Sequence, residues 1–113
     1  MAIGHILLVL LTIILIRAGW LNLFGPDFIR AEFKDWGYSD RLRMAVGLTE
    51  WVAAIALLSS SLRLIGCVLA IVVMLGVIIT FLRHREFMRL EYPTVLLVLI
   101  SLIAAQAAGV MQP

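Results

Sequence analysis

The chain has 113 residues, of which 64% are hydrophobic and 14% are charged, and its formal net charge is +2. Soluble domains average about 45–50% apolar and about 25% charged residues, and a small domain buries only roughly 60% of the surface that its unfolded chain exposes. This composition excludes a soluble monomer and a disordered chain. It predicts a single domain over residues 1–113 with the lipid bilayer as its solvent.

Four segments are long and apolar enough to cross a bilayer. A span requires about 20 predominantly apolar residues, and lipid-facing backbone must satisfy its hydrogen bonds internally, which favours helices for continuous apolar runs. The fold class that we predict is therefore an all-α membrane protein, an up-down bundle of four transmembrane helices. The predicted spans are residues 3–24, 42–60, 64–82 and 92–111.

The connection between the first two spans is predicted to carry a short amphipathic helix at about residues 27–36. Pro26 suits the first turn of a helix, and the apolar residues that follow recur at near-helical spacing between charged ones. A helix with one apolar and one charged face lies in the membrane interface. An irregular solvated loop is the alternative. The recurring apolar residues are Phe28, Ile29, Phe33 and Trp36.

Lysine and arginine residues are concentrated in two of the three connections. The first and third connections, counted with the first two residues of the second span, hold seven of them, and the second connection holds only Arg63. Because cytoplasmic loops carry the excess of Lys and Arg, we expect these two loops to be cytoplasmic and both termini to lie outside, in a multi-pass protein of the cell membrane. The cations form no basic block, which argues against a nucleic-acid partner. The seven are Arg30, Lys34, Arg41, Arg43, Arg83, Arg85 and Arg89.

Two opposite charges lie inside the predicted spans at a similar depth. At 1.5 Å per residue, Arg17 lies about 10 Å from the end of the first span and Glu50 about 12 Å from the start of the second. A charge in the bilayer costs about 2.5–3.5 kcal/mol, and a pair at about 4 Å recovers about 4 kcal/mol at an effective dielectric of 20. We therefore predict an Arg17–Glu50 ion pair that faces the bundle interior. Its role is either functional or that of a structural clasp.

Other polar and aromatic side chains fall in the same layer, and we expect them to line a ligand pocket roofed by the amphipathic helix. No metal site is expected, because Cys67 is the only cysteine and the two histidines are distant. No resident cofactor is expected either, and the ligands that such a pocket suggests are a quinone or a lipid. The predicted site residues are Arg17, Trp20, Asn22, Thr49, Glu50, Trp51, Thr80 and Tyr92.

Small residues recur on the fourth predicted span at Ser101, Ala105 and Gly109. Such spacing lets transmembrane helices approach each other closely. It indicates either tight packing within the bundle or the contact face of a homo-oligomer.

Three short motifs resemble those of DoxX-like membrane proteins. The first span ends with Ala18-Gly19-Trp20-x-x-Leu23, the amphipathic segment ends with Trp36-Gly37-Tyr38-Ser39, and the second span opens with Val46-Gly47-Leu48-Thr49-Glu50. The resemblance covers essentially the whole chain and implies a four-helix membrane protein in which Gly47 and Glu50 match a family glycine and glutamate. Asn22 stands where the family commonly has a lysine, and Arg17 would supply the positive charge one turn earlier.

Some members of this family are similar to subunits of thiosulfate:quinone oxidoreductase or to partners in membrane redox complexes. The resemblance therefore implies a non-catalytic membrane subunit or a ligand-binding module, with a membrane or redox subunit as its partner. We do not expect an enzyme acting on its own, because the sequence has no paired cysteines, metal cluster or nucleophile–base set.

The alternative function is a small proton-coupled multidrug-type exporter, since such transporters pack four helices into a similar length. An arginine beside Glu50 would favour the ionised carboxylate. A carboxylate that stays ionised is a poor group for proton coupling, and this argues for the first hypothesis.

Overall fold

The computed structural model describes residues 2–109, and over this range it consists of five α-helices and a 3₁₀ turn. No strand occurs among these residues, which confirms the all-α class. The predicted end of the fourth span, at residue 111, lies outside the described residues. The helices are α1 (Ala2–Phe24), α2 (Asp27–Asp35), α3 (Asp40–Leu58), α4 (Arg63–Arg83) and α5 (Glu91–Ala107), and the 3₁₀ turn is Phe87–Leu90.

Local sequence signals explain where the first helices begin and end. α1 is followed by Gly25, whose φ of 58° is the left-handed conformation that glycine adopts without steric cost. Pro26 then precedes the first residue of α2, in the place where the sequence predicts the amphipathic helix. Ser39 caps α3, because its hydroxyl accepts a hydrogen bond from the backbone N–H of Leu42 at 3.2 Å.

The four long helices close a bundle in which α3 packs against α1 and α4, and α5 packs against α4 and α1. Neighbours run in opposite directions: Gly19 lies beside Gly47, whereas Ile16, nearer the start of α1, bonds to Trp51, further along α3. The same holds between α3 and α4, where Gly66 near the start of α4 lies against the last turns of α3. The shared core is apolar, with side chains from all four helices.

Three of the described helical segments are long and apolar enough to cross a membrane: Ile3–Phe24, Arg63–Arg83, and Phe87–Ala107, which joins the 3₁₀ turn to α5. Large apolar side chains cover much of their outer surface, an arrangement that lipid stabilises and water does not. The chain is thus a small membrane protein. α3 carries four charged residues and lies outside this set, so its crossing of the membrane, and with it the four-span count, stays a prediction.

Candidate functional site

α1 and α3 approach each other closely at two glycines. A Cβ atom on Gly19 would lie 2.9 Å from the carbonyl oxygen of Gly47, and a Cβ atom on Gly47 would lie 2.8 Å from the backbone nitrogen of Leu23. No side chain fits between backbones at these distances. The indole N–H of Trp51 donates to the carbonyl oxygen of Ile16 at 2.9 Å and fixes the register of the two helices.

Glu50 lies in this interface and is only 3% exposed. The side-chain amide of Asn22 donates a hydrogen bond to its Oε1 atom at 2.6 Å. A buried carboxylate requires such a donor, because its desolvation is costly. The close helix contact at Gly19 and Gly47 brings the amide within reach of the carboxylate. The partner of Glu50 is therefore Asn22, on the neighbouring helix.

The predicted ion pair between Arg17 and Glu50 is wrong. The Arg17 side chain is exposed, and among residues 2–109 no ion pair joins it to Glu50. The reason is the rotation of the helix by about 100° per residue. Arg17 and Asn22 are five residues apart, so they project in directions about 140° apart, and it is Asn22 that faces α3.

The other predicted site residues lie in three separate places. Trp20 is half-exposed and packs on Phe24, with ring centroids 5.3 Å apart. Thr49 and Thr80 line a groove between α3 and α4. Tyr92 lines a second cavity, of about 590 Å³, with residues of α1, α4 and α5.

The groove between α3 and α4, which we call the α3–α4 groove, has a volume of about 320 Å³. Its walls are mainly apolar, and the aromatic side chains of Phe33, Trp36 and Tyr38 close one end. The hydroxyl of Thr80 donates to the carbonyl oxygen of Gly76 at 2.8 Å and lies 2.7 Å from the hydroxyl of Tyr38. Because the Thr80 proton is already used, the phenol donates to Thr80, and its oxygen remains an acceptor at the edge of the groove.

A cluster of four side chains, the α2 clasp, holds the first connection against the third: Glu32, Trp36, Glu86 and Arg89. The indole N–H of Trp36 donates to Glu86 Oε2 at 2.9 Å, and Arg89 Nη1 donates to Glu86 Oε1 at 2.9 Å. Arg89 also pairs with Glu32, and its guanidinium lies 4.5 Å from the centroid of the Phe81 ring. The clasp therefore positions the aromatic end of the α3–α4 groove.

The α2 clasp should weaken in acid. The hydrogen bond from Trp36, with further support from Arg89, lowers the pKa of Glu86 below its ordinary value of 4.5. A carboxyl group with a lowered pKa stabilises the folded state fully above its unfolded-state pKa, and this contribution is lost as pH falls through the lower folded-state pKa. The protection of the α2 amides, which is their hydrogen-exchange rate relative to the intrinsic rate at the same pH, should therefore fall below about pH 4.5 in the wild type.

The matched variant is Glu86→Gln, which keeps an acceptor for Trp36 but cannot titrate. The protection of its α2 amides should be lower than that of the wild type at neutral pH and should fall less on acidification. An acid response of equal size in both proteins would show that a group other than Glu86 causes the effect.

The hydrogen bond between Asn22 and Glu50 should appear as coupling in a double-mutant cycle. Asn22→Leu leaves the Glu50 carboxylate without its donor, whereas Glu50→Leu removes the need for one. We expect a coupling energy of about 0.5–3 kcal/mol for this pair in denaturation measured in detergent micelles. The control cycle, Arg17→Leu with Glu50→Leu, should show additivity. Stronger coupling of Glu50 to Arg17 than to Asn22 would contradict this assignment and support the Arg17–Glu50 ion pair instead.

No group of three or more His, Cys, Asp or Glu residues within residues 2–109 is placed to hold a metal ion.

Among the comparisons with known proteins, the model of a family described as the DoxX-like family matches residues 6–103. No curated protein and no solved structure matches the chain. The matched range includes the α1–α3 interface, the α3–α4 groove and the α2 clasp.

Proposed function

Because the chain belongs to the DoxX-like family, we propose that it acts as a non-catalytic membrane subunit or ligand-binding module of a redox-linked complex, with a quinone or a lipid as its ligand. The observation that carries this proposal is the α3–α4 groove. Its apolar walls suit a ring or an acyl chain, and Tyr38 and Thr49 supply the few polar groups typical of a small-molecule site.

The test is to extract the protein in a gentle detergent and to analyse the co-purified small molecules by mass spectrometry. We expect about one quinone or lipid to remain per chain. Gly76→Leu should remove it, because a Cβ atom on Gly76 meets nothing within 4 Å and the longer side chain fills the groove. Val68→Leu on the exposed face of the same helix is the matched control. A wild type without a ligand, or equal retention by both variants, contradicts the proposal.

The partner is proposed to be a second membrane or redox subunit, or a second copy that contacts the small residues of α5. The same gentle extraction tests this, because a stable complex elutes at a mass above that of the single chain. A chain that stays alone at all protein concentrations contradicts the subunit role.

The proposed orientation places the first and third connections in the cytoplasm, with four spans. Phe87→Cys introduces a thiol at the exposed start of the 3₁₀ turn, whereas the native Cys67 is buried. A membrane-impermeant thiol reagent should therefore label this variant in inverted vesicles and not in intact cells. Labelling of intact cells would show that the third connection lies outside, which is the opposite of the proposed orientation.

One observation favours the second candidate function, a small proton-coupled exporter. An arginine beside Glu50 would hold the carboxylate ionised, but the partner of Glu50 is the neutral amide of Asn22. A buried carboxylate without a cationic partner is better suited to binding and releasing a proton. Proton uptake that is measured near pH 7 and lost in Glu50→Gln would favour this second candidate over the first.

A further inference from the structure

Tyr38 forms part of the wall of two cavities at once. On one side lies the α3–α4 groove, and on the other side lies a polar cavity of about 470 Å³, which we call the basic pocket. The basic pocket is lined by residues of α2 and of the start of α3, among them Arg30, Lys34, Ser39 and Asp40. An apolar and a polar cavity therefore meet at a single phenol.

The cations of the basic pocket are available to an anion. Arg30 donates through its Nε atom to the carbonyl oxygen of Gly25 at 2.6 Å, which anchors its guanidinium. Over residues 2–109, neither the Lys34 ammonium nor the Arg30 Nη nitrogens have a hydrogen-bond acceptor in the protein. The one carboxylate of the pocket, Asp40, lies 3.6 Å from Nε of the buried Arg43 and has a protein cation to counter its charge.

The α3–α4 groove supplies the apolar half of the site. Gly76 leaves open space where any other residue would place a side chain, and Val72 and Val77 continue the apolar wall. A molecule with a hydrocarbon chain and an anionic head would satisfy both cavities. A quinone would fill the groove alone, because its ring carries no charge for Arg30 and Lys34 to bind.

Resting on the proposed ligand-binding function, we propose that the protein binds an anionic phospholipid, with an acyl chain in the α3–α4 groove and the phosphate in the basic pocket. Tyr38 lies where the chain meets the head, as aromatic side chains with a polar tip do at membrane interfaces. The α2 clasp fixes the distance between the two parts of the site, because it anchors α2 and its basic pocket to the ends of α4 and α5.

The experiment is native mass spectrometry of the purified full chain in a non-ionic detergent with equal amounts of phosphatidylglycerol and phosphatidylcholine that carry identical acyl chains. We expect the wild type to retain the anionic lipid about fivefold more than the zwitterionic one. Lys34→Gln should lower this ratio to about twofold, because Arg30 remains in the pocket. Arg83→Gln, which removes an exposed cation outside both cavities, should leave the ratio unchanged.

The groove is tested in the same mixture. Gly76→Leu should lower the retention of both lipids, and Val68→Leu should not. A wild type without preference, or a preference that Lys34→Gln leaves unchanged, overturns the anionic headgroup site while the groove still holds a ligand. Displacement of the bound lipid by a quinone at equal concentration also overturns it and leaves the proposed function intact. Lipid retention that is unaffected by Gly76→Leu overturns both.

Discussion

Replacing Gly47 by alanine should destabilise the bundle by about 1–3 kcal/mol. The added Cβ atom would lie 2.8 Å from the backbone nitrogen of Leu23 and 2.9 Å from the carbonyl oxygen of Gly19. Both neighbours are backbone atoms of α1, so neither can rotate away, and the two helices must move apart. This separation also lengthens the hydrogen bond between Asn22 and Glu50, which depends on the close approach.

Gly76→Ala is the matched control, because it makes the same substitution in a helix where the new Cβ atom meets nothing within 4 Å. Its stability should be unchanged or higher by about 0.5–1 kcal/mol, since alanine restricts the unfolded chain more than glycine does. Unfolding by a denaturing detergent, followed by circular dichroism, measures both variants. Equal losses in the two would show that helix contact is not what Gly47 provides.

Replacing Arg43 by methionine should cost about 1.5–3 kcal/mol, the value of hydrogen bonds made by a charged group. Arg43 is only 3% exposed, and its Nη1 atom donates to the carbonyl oxygens of Asn22 and Leu23. These carbonyls belong to the last turn of α1, where a cation also interacts favourably with the helix dipole. Methionine retains the length and the apolar stem but leaves these carbonyls without their donor.

Arg41→Met is the control for Arg43→Met, since Arg41 lies two residues away and is exposed. A surface change of this kind should remain within about 0.5 kcal/mol of the wild type. Arg43→Lys separates charge from geometry, because an ammonium interacts with the helix dipole but cannot reproduce the planar donor group. Full stability of Arg43→Lys would show that charge alone is sufficient, and full stability of Arg43→Met would remove the capping role.

The hydropathy of the chain and its helix-breaking residues explain why the helices could be predicted from the sequence. Long apolar runs separated by Gly25-Pro26 and by Ser59-Ser60-Ser61 leave few alternatives for where helices begin and end. The family motifs were informative for a local reason: Gly19, Gly47 and Glu50 meet in one helix–helix contact. α1 and α3 are also consecutive among the long helices, although the connection between them is the longest in the chain and contains α2.

Contacts that depend on the rotation of a helix could not be predicted in the same way. Depth along the bilayer placed Arg17 level with Glu50, but depth carries no information about which side of α1 faces α3. Trp36 and Glu86 are 50 positions apart, and the sequence around each of them gives no indication of their contact. Their contact exists because α4 and α5 bring the third connection beside the first, which is a property of the assembled bundle.

Basic side chains close the carboxyl ends of three helices, at very different separations along the chain. His84 Nδ1 donates to the carbonyl oxygen of Thr80 four residues before it, and Arg63 donates to that of Leu57 six residues before it. Asn22 at the end of α1 receives its donor, Arg43, only 21 residues later. During folding, these carbonyls of α1 lack their donor until the start of α3 has packed against α1. The carboxyl end of α1 is therefore completed only when α1 pairs with α3, whereas those of α3 and α4 are completed by residues within six positions along the chain.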